Sequence, residues 1–203
     1  MKVVAFNGSP RAQGNTRRGL EMVLAELEKE GIQTEIIQLG GKKVFGCLAC
    51  GQCKINKNLR CARNDDDMNA FIAKMFEADG IIIGSPTYFS NVNAEVKALI
   101  DRAGMVARAN DHALKGKVGA PLVAARRAGA TFVYSAINFF FGINQMIVPG
   151  SIYWNMTLGG APGDIEKDEE GKNTFIQLGK NMADLLKKLN LVSKSGGYGA
   201  VLG

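Results

Sequence analysis

Three short runs of this sequence are almost wholly apolar, and each one stops at a group of small, turn-forming or charged residues. Residues 2–6 (KVVAF) lead into Asn7-Gly8-Ser9-Pro10, residues 80–84 (GIIIG) into Ser85-Pro86, and residues 118–125 (VGAPLVAA) into Arg126-Arg127-Ala128-Gly129. A strand with no polar face has to be covered on both sides, which an isolated antiparallel sheet cannot do. The intervening segments supply the cover. Leu20, Val23, Leu24 and Leu27 make one helical stripe that Gly31 ends, and residues 32–39 form the next strand candidate. Met68, Phe71, Ile72, Met75 and Phe76 make a second stripe behind Asp65-Asp66-Asp67, whose carboxylates are expected to cap the free amides of that helix. A third stripe runs through Val96, Leu99, Ile100 and Ala103, residues 131–145 read as a further helix, and Phe175, Leu178, Met182, Leu185, Leu186 and Leu189 close the pattern. A fifth strand is expected within residues 147–154, interrupted by Pro149 and Gly150.

Strands alternating with helices require right-handed crossovers and a parallel sheet. The expected fold is a doubly wound α/β domain with five parallel strands in the flavodoxin-like order 2-1-3-4-5. Its ligands would bind beyond the carboxyl ends of the strands. The 203 residues fit one domain, residues 1–203, with 46% apolar and 22% charged residues, which excludes a wholly disordered chain. We find no internal repeat, and only the tail, residues 193–203, is Gly-rich. No apolar run has the length of a membrane span and the first twenty residues lack the pattern of a signal peptide, so a soluble, cytoplasmic protein without a membrane partner is expected.

The loop after the first strand, Gly8-Ser9-Pro10-Arg11-Ala12-Gln13-Gly14-Asn15-Thr16, joins a buried strand to a helix, so its amides and the helix N-terminus should face one anion. Ser9, Asn15 and Thr16 add neutral donors and Arg11 a charged one. The Lys-Ser/Thr pair of a Walker loop is absent, and so is the dinucleotide fingerprint. Such a cradle suits a phosphate monoester that is held and not transferred. After the third strand, Pro86-Thr87-Tyr88-Phe89-Ser90-Asn91 offers two aromatic rings and polar groups to a planar heterocycle, and flavin mononucleotide (FMN) fits both loops together. Arg126 or Arg127 could oppose the negative charge of a reduced flavin.

All four cysteines fall in Cys47-x2-Cys50-x2-Cys53-x7-Cys61. Clustering of this kind points to metal or redox work before structural disulfides, and three cysteines at successive x2 intervals resemble an iron-sulfur run more than paired zinc knuckles. One histidine, His112, leaves little material for His-based metal sites or Ser-His triads. The net charge of +6 lies wholly in the first third of the chain. Residues 1–64 hold eleven Lys or Arg against five Glu, and residues 65–203 hold fourteen of each sign. Six of those cations (Lys42, Lys43, Lys54, Lys57, Arg60 and Arg63) surround the cysteines within residues 36–64, where no carboxylate stands. They can offset an anionic cluster, dock an acidic electron carrier, or simply face solvent. A nucleic-acid-binding role has no groove-reading element to support it.

GSPRAQGNT after the first strand, SPTYFSNVNAEVK after the third and LGGAPGDIEKDEEG before the last helix resemble the NADPH-dependent FMN reductase branch of flavodoxin-like proteins. The cysteine run, within a loop spanning residues 42–64, resembles that of the iron-sulfur flavoproteins of this family. The resemblance implies the FMN phosphate at Ser9, Arg11, Asn15 and Thr16, the ring near Pro86, Thr87, Tyr88, Phe89, Ser90 and Asn91, and a less specific third loop at Arg126. It also implies a 4Fe-4S cluster on Cys47, Cys50, Cys53 and Cys61. Clusterless relatives keep similar cysteines ahead of an Asp-Asp-Met helix start, here Asp66-Asp67-Met68, so zinc and free or disulfide-forming thiols stay open alternatives. The expected activity is electron transfer between a ferredoxin-like carrier, the cluster and FMN to a small acceptor, with the flavin carrying the chemistry. The alternative is a clusterless reductase using NAD(P)H. Relatives form homodimers or homotetramers, and Phe139-Phe140-Phe141 with Trp154 could supply an apolar contact.

Overall fold

A computed structural model describes residues 1–194, and the Gly-rich tail lies, from residue 195 onward, outside the described residues. The elements follow in the order β1 (Lys2–Asn7), α1 (Asn15–Lys29), β2 (Gln33–Gln38), α2 (Gln52–Asn56), α3 (Met68–Glu77), β3 (Gly80–Pro86), α4 (Ala94–Ala109), β4 (Val118–Ala125), α5 (Ala130–Ile143), β5 (Met156–Leu158) and α6 (Glu169–Lys194), with a 3-10 turn at Asp164–Lys167. The strands form one sheet in the order β2-β1-β3-β4-β5, and every pair is parallel. This is the expected flavodoxin-like order.

Alternation along the central strands divides the core into two layers. Val3 and Ala5 of β1, Ile82 of β3 and Leu122 of β4 pack with Leu20, Val23 and Leu27 of α1 and Phe175, Leu178 and Met182 of α6. Their neighbours Val4, Phe6, Ile81, Ile83 and Val123 pack with α3, α4 and α5 through Met68, Ile72, Leu99, Ile137 and Phe141. α1 and α6 lie close because Gly19 gives way to Phe175: a Cβ on Gly19 would stand 2.7 Å from that ring. The edge strand β2 is only partly buried, and its Glu35 pairs with Lys2 and Lys74, which together hold its carboxyl below the usual range.

Register brings the carboxyl ends of the strands to one edge. Asn7 pairs with Gln38 on one side and Gly84 on the other, and Pro86 pairs with Ala124. The loops after β1, β3, β4 and β5 therefore meet.

Two expectations are corrected. The fifth strand is not within residues 147–154 but at Met156–Leu158, where it pairs with Val123–Ala125. Ile147 makes a single bridge to Val118, after which Pro149 and Gly150 break the pairing and leave Ile152, Tyr153 and Trp154 exposed. The second correction concerns the Asp65–Asp67 run. Asp67 occupies the N-cap position of α3 without a side-chain cap bond, and Asp66 alone accepts the Met68 N–H, at 3.3 Å. The other oxygen of Asp66 serves a buried arginine, described below. Replacing the fully buried Phe175 by alanine is expected to cost about 3–5 kcal/mol in urea unfolding, because the α1–α6 seam cannot collapse around Gly19. A loss below about 1 kcal/mol would show that this seam carries little of the stability.

Candidate functional site

The loop after β1 is held from beneath. Asn7 Oδ1 accepts the Ser9 N–H at 3.2 Å, Ser9 Oγ accepts the Arg11 N–H at 3.2 Å, and Gln38 Nε2 donates to both Ser9 O and Gly40 O at 2.7 Å. The buried Asn93 donates to Gly8 O at 2.6 Å. Gly40 lets β2 run against this loop, since a Cβ there would lie 2.2 Å from Gly8 O. At the far end of the loop α1 starts at Gly14 with no side-chain cap and no acidic residue in its first turn. Its positive end is left open to an anion. Ser9 and Thr16 are buried there, whereas Arg11 is exposed beside them.

Asn15 also bonds across to the loop after β5. Its Nδ2 donates to Gly159 O and Ala161 O at 3.2 and 2.9 Å, and its Oδ1 accepts the Gly163 N–H at 2.8 Å. It clamps the Gly-rich loop after β5 to the start of α1. That loop is shaped by Asp164, whose carboxylate accepts the Gly160 and Ala161 N–H groups. The Ala161 N–H first, then Lys167, hold the Asp164 carboxyl below its usual range. Asp168 ties β5 to α6 through Thr157, Leu158 N–H and Gly171 N–H. Burial pushes the Asp168 carboxyl up, but those three donors outweigh it and leave it lowered. Both carboxylates thus support this loop above the ordinary carboxylate range and lose that contribution as pH falls through their lowered values. Arg126 is exposed and lies against the same loop, its Cγ 3.6 Å from where a Cβ on Gly160 would be.

After β3, Tyr88 and Asn91 exchange both backbone hydrogen bonds at 2.9 Å, closing a two-residue turn on Phe89 and Ser90. Both turn residues have positive φ, +47° and +60°. A phenylalanine there is unusual and strained, a condition concentrated at functional sites. Its ring projects fully into solvent, Tyr88 is half-exposed, and Pro86 and Thr87 are partly buried. Thr87 Oγ1 is buried with no partner. Gly129, after β4, sits under Ser90, which joins the third and fourth loops.

The cysteine segment is a second centre, over α3 and α4. None of the four cysteines is disulfide-bonded; Cys47 and Cys50 are exposed, Cys53 and Cys61 half-buried. All four line one small cavity, together with Leu48, Met105 and Arg102. Among the described residues no three His, Cys, Asp or Glu side chains converge as ligands of a single ion. Cys47 Sγ accepts the Ala49 N–H at 3.4 Å, and Cys53 Sγ lies 3.8 Å from Met105 O. Positive φ at Ala49, Gly51, Lys57 and Leu59 lets the chain coil tightly. Polar side chains fix it from below: Asn69 holds Cys61 through its N–H at 2.8 Å and its carbonyl at 3.0 Å, and Asn110 accepts the Leu59 N–H at 3.0 Å. Arg102 and Asp66 form an ion pair with both side chains wholly buried. Breaking such a pair from one side costs about 3–5 kcal/mol.

The profile of the NADPH-dependent FMN reductase family matches residues 1–160. An iron-sulfur flavoprotein of Methanocaldococcus jannaschii is 38% identical over 194 residues, covering 92% of this chain and 98% of its own. The chain belongs to this family. A second relative, the iron-sulfur flavoprotein of Methanosarcina thermophila, is 34% identical over 190 residues, covering 92% of this chain and 96% of its own. Among solved structures, a WrbA-like flavodoxin from Agrobacterium tumefaciens superposes with a TM-score of 0.63 at 16% identity, over 92% of this chain and 96% of that one. RosB, solved with 8-demethyl-8-formylriboflavin-5'-phosphate bound, gives 0.69 at 19% identity over 98% and 84%. These distant structures share the fold. As a member of the FMN reductase family the chain is an FMN-dependent oxidoreductase.

The structure gathers Ser9, Arg11, Asn15, Thr16, Arg126 and the turn from Pro86 to Asn91 at the carboxyl edge of the sheet, and sets the four cysteines around a separate cavity. Sequence reasoning missed the supports: Gln38, Gly40, Asn69, Asn93 and the Asp66–Arg102 pair. A signal for Arg102 was available, because it falls three residues after Leu99 and four before Val106 on the apolar stripe of α4. Asn15→Ala should speed amide hydrogen exchange at Gly163 and its neighbours while leaving β1 protected. Unchanged exchange at Gly163 would mean that the clamp does not hold this loop.

Proposed function

We propose that this chain is an iron-sulfur flavoprotein in which Cys47, Cys50, Cys53 and Cys61 hold a 4Fe-4S cluster and the carboxyl edge of the sheet holds FMN. The observation that carries the reading is the donor set: the chain's four thiols all line one cavity, in a C-x2-C-x2-C-x7-C run of the cluster-binding kind. The Ala49 N–H on Cys47 Sγ is the kind of bond that stabilises a ligating thiolate.

The FMN phosphate takes the uncapped start of α1, with Ser9, Thr16 and the exposed Arg11 as donors. Asn15 contributes by fixing the adjacent Gly159–Gly163 backbone. The ring lies along Pro86, Thr87, Tyr88, Phe89, Ser90 and Asn91, where the unpartnered Thr87 hydroxyl awaits a polar atom and the strained turn presents its aromatics. Arg126 supplies positive charge at the rim. When bound, the cluster supplies one-electron transfer and FMN converts it to two-electron reduction of a small acceptor. Beside the cysteine cavity, Lys54, Lys57, Arg108 and His112 line an open basic cleft, which suits an acidic, ferredoxin-like donor. A second reading, direct reduction by NAD(P)H without a cluster, draws on the family's NADPH-dependent members.

Protein purified without oxygen is expected to contain FMN with iron and acid-labile sulfide, and Cys53→Ser to lose the iron and sulfide but keep the flavin. Yellow, iron-free wild-type protein that NADPH alone bleaches rapidly would establish the second reading instead. Ser9→Ala with Arg11→Ala should weaken FMN binding by about tenfold or more, as loss of two phosphate donors predicts.

A further inference from the structure

Arg102 heads the fully buried side chains of the described residues by size. A guanidinium stays charged and brings five N–H donors with it, so its burial must be answered by acceptors. Nη1 donates to the Asp66 carboxylate and to Phe45 O at 3.2 Å, and Nη2 donates to Arg63 O at 2.8 Å. Nε–H, in contrast, is buried with no partner. The guanidinium is planar, so fixing both Nη groups also fixes the direction of Nε–H. Arg102 lines the same cavity as all four cysteines. Arg63 lines it too, but its Nε is already given to Asp65 at 2.8 Å.

We propose that Arg102 Nε–H donates to a sulfur, thiolate or inorganic sulfide, of the cluster held by the four cysteines, and raises its reduction potential. The inference rests on the cluster reading above and adds to it a positioning residue on α4. An N–H···S bond stabilises the more negative, reduced state over the oxidised one, and hydrogen bonds to the sulfurs are among the terms that set such potentials. Asp66 has the complementary role: it orients the fork and balances its charge, so that Arg102 supplies a directed donor without adding net charge beneath the cavity. The same guanidinium, through Phe45 O and Arg63 O, anchors the chain on both sides of the cysteine run.

The test uses the whole protein, prepared anaerobically with arginine labelled with nitrogen-15 at Nε and reduced with dithionite. Electron spin-echo envelope modulation should show a labelled-nitrogen coupling to the reduced cluster, which persists in Arg63→Lys. The double variant Asp66→Asn with Arg102→Met replaces a neutral pair by a neutral pair; it should lose the coupling and titrate at a lower midpoint potential than wild type. Iron and sulfide analysis of the same samples separates the two ideas. Wild-type protein lacking both elements overturns the cluster reading itself. A loaded wild-type cluster without labelled-nitrogen coupling overturns the role of Arg102 and leaves the cluster standing, and so does an unshifted midpoint in a loaded double variant. Should the double variant not fold, the coupling in labelled wild-type protein decides alone.

Discussion

The sheet and the arrangement of the loops at its carboxyl edge follow from burying β1, β3 and β4 on both faces. Apolar residues alternate into two core layers, so helices must cover both sides and each crossover must return the chain to the same end of the sheet. The register then leaves Asn7, Pro86 and Ala125 at one edge. The loops that follow them meet at that edge, where Asn93 bonds to Gly8 O and Gly129 lies under Ser90. The positive end of α1 opens there uncapped, and the clamp from Asn15 brings the loop after β5 alongside.

The cysteine segment obeys a different physics. It has no strand to pair with and only a five-residue helix of its own, so several of its carbonyls and amides are satisfied by side chains from α3, α4 and the residues at their ends. Asn69, Asn110, Asp66 and Arg102 supply those bonds from positions otherwise facing the core. Buried polar groups of this kind are costly unless every one is matched, and for that reason they fix a unique loop conformation more strictly than apolar packing would. Arg102 Nε is buried and accepted by no protein atom, and it belongs to the side chain that borders the cysteines.

The sheet order and the four long crossover helices were legible because periodicity reports burial directly. Residues 118–125 read as a strand and are one, and the stripe from Leu20 to Leu27 lies within α1. The fifth strand misled because Ile147, Val148, Ile152, Tyr153 and Trp154 have strand-like composition while most of them face solvent. The true β5 spans three residues, too few for a period to register. That the loops after β1, β3 and β4 end at one edge of the sheet was legible from their positions. The bonds of individual side chains were not: Asn15 clamps the loop after β5, and the Asp65–Asp67 run reads as a cap while Asp66 turns inward to Arg102. Those outcomes depend on residues 36 to 148 positions away along the chain.

The charge of +6 belongs to the same account: it falls around the cysteines, and Lys54 and Lys57 also line the neighbouring cleft, while the rest of the chain is balanced. The central claim, a one-electron centre beside a two-electron flavin in one chain, is tested most directly by an anaerobic coulometric titration of the purified protein. The account predicts three electrons taken up per chain, one by the cluster and two by FMN. An uptake of two electrons in flavin-replete protein would contradict it.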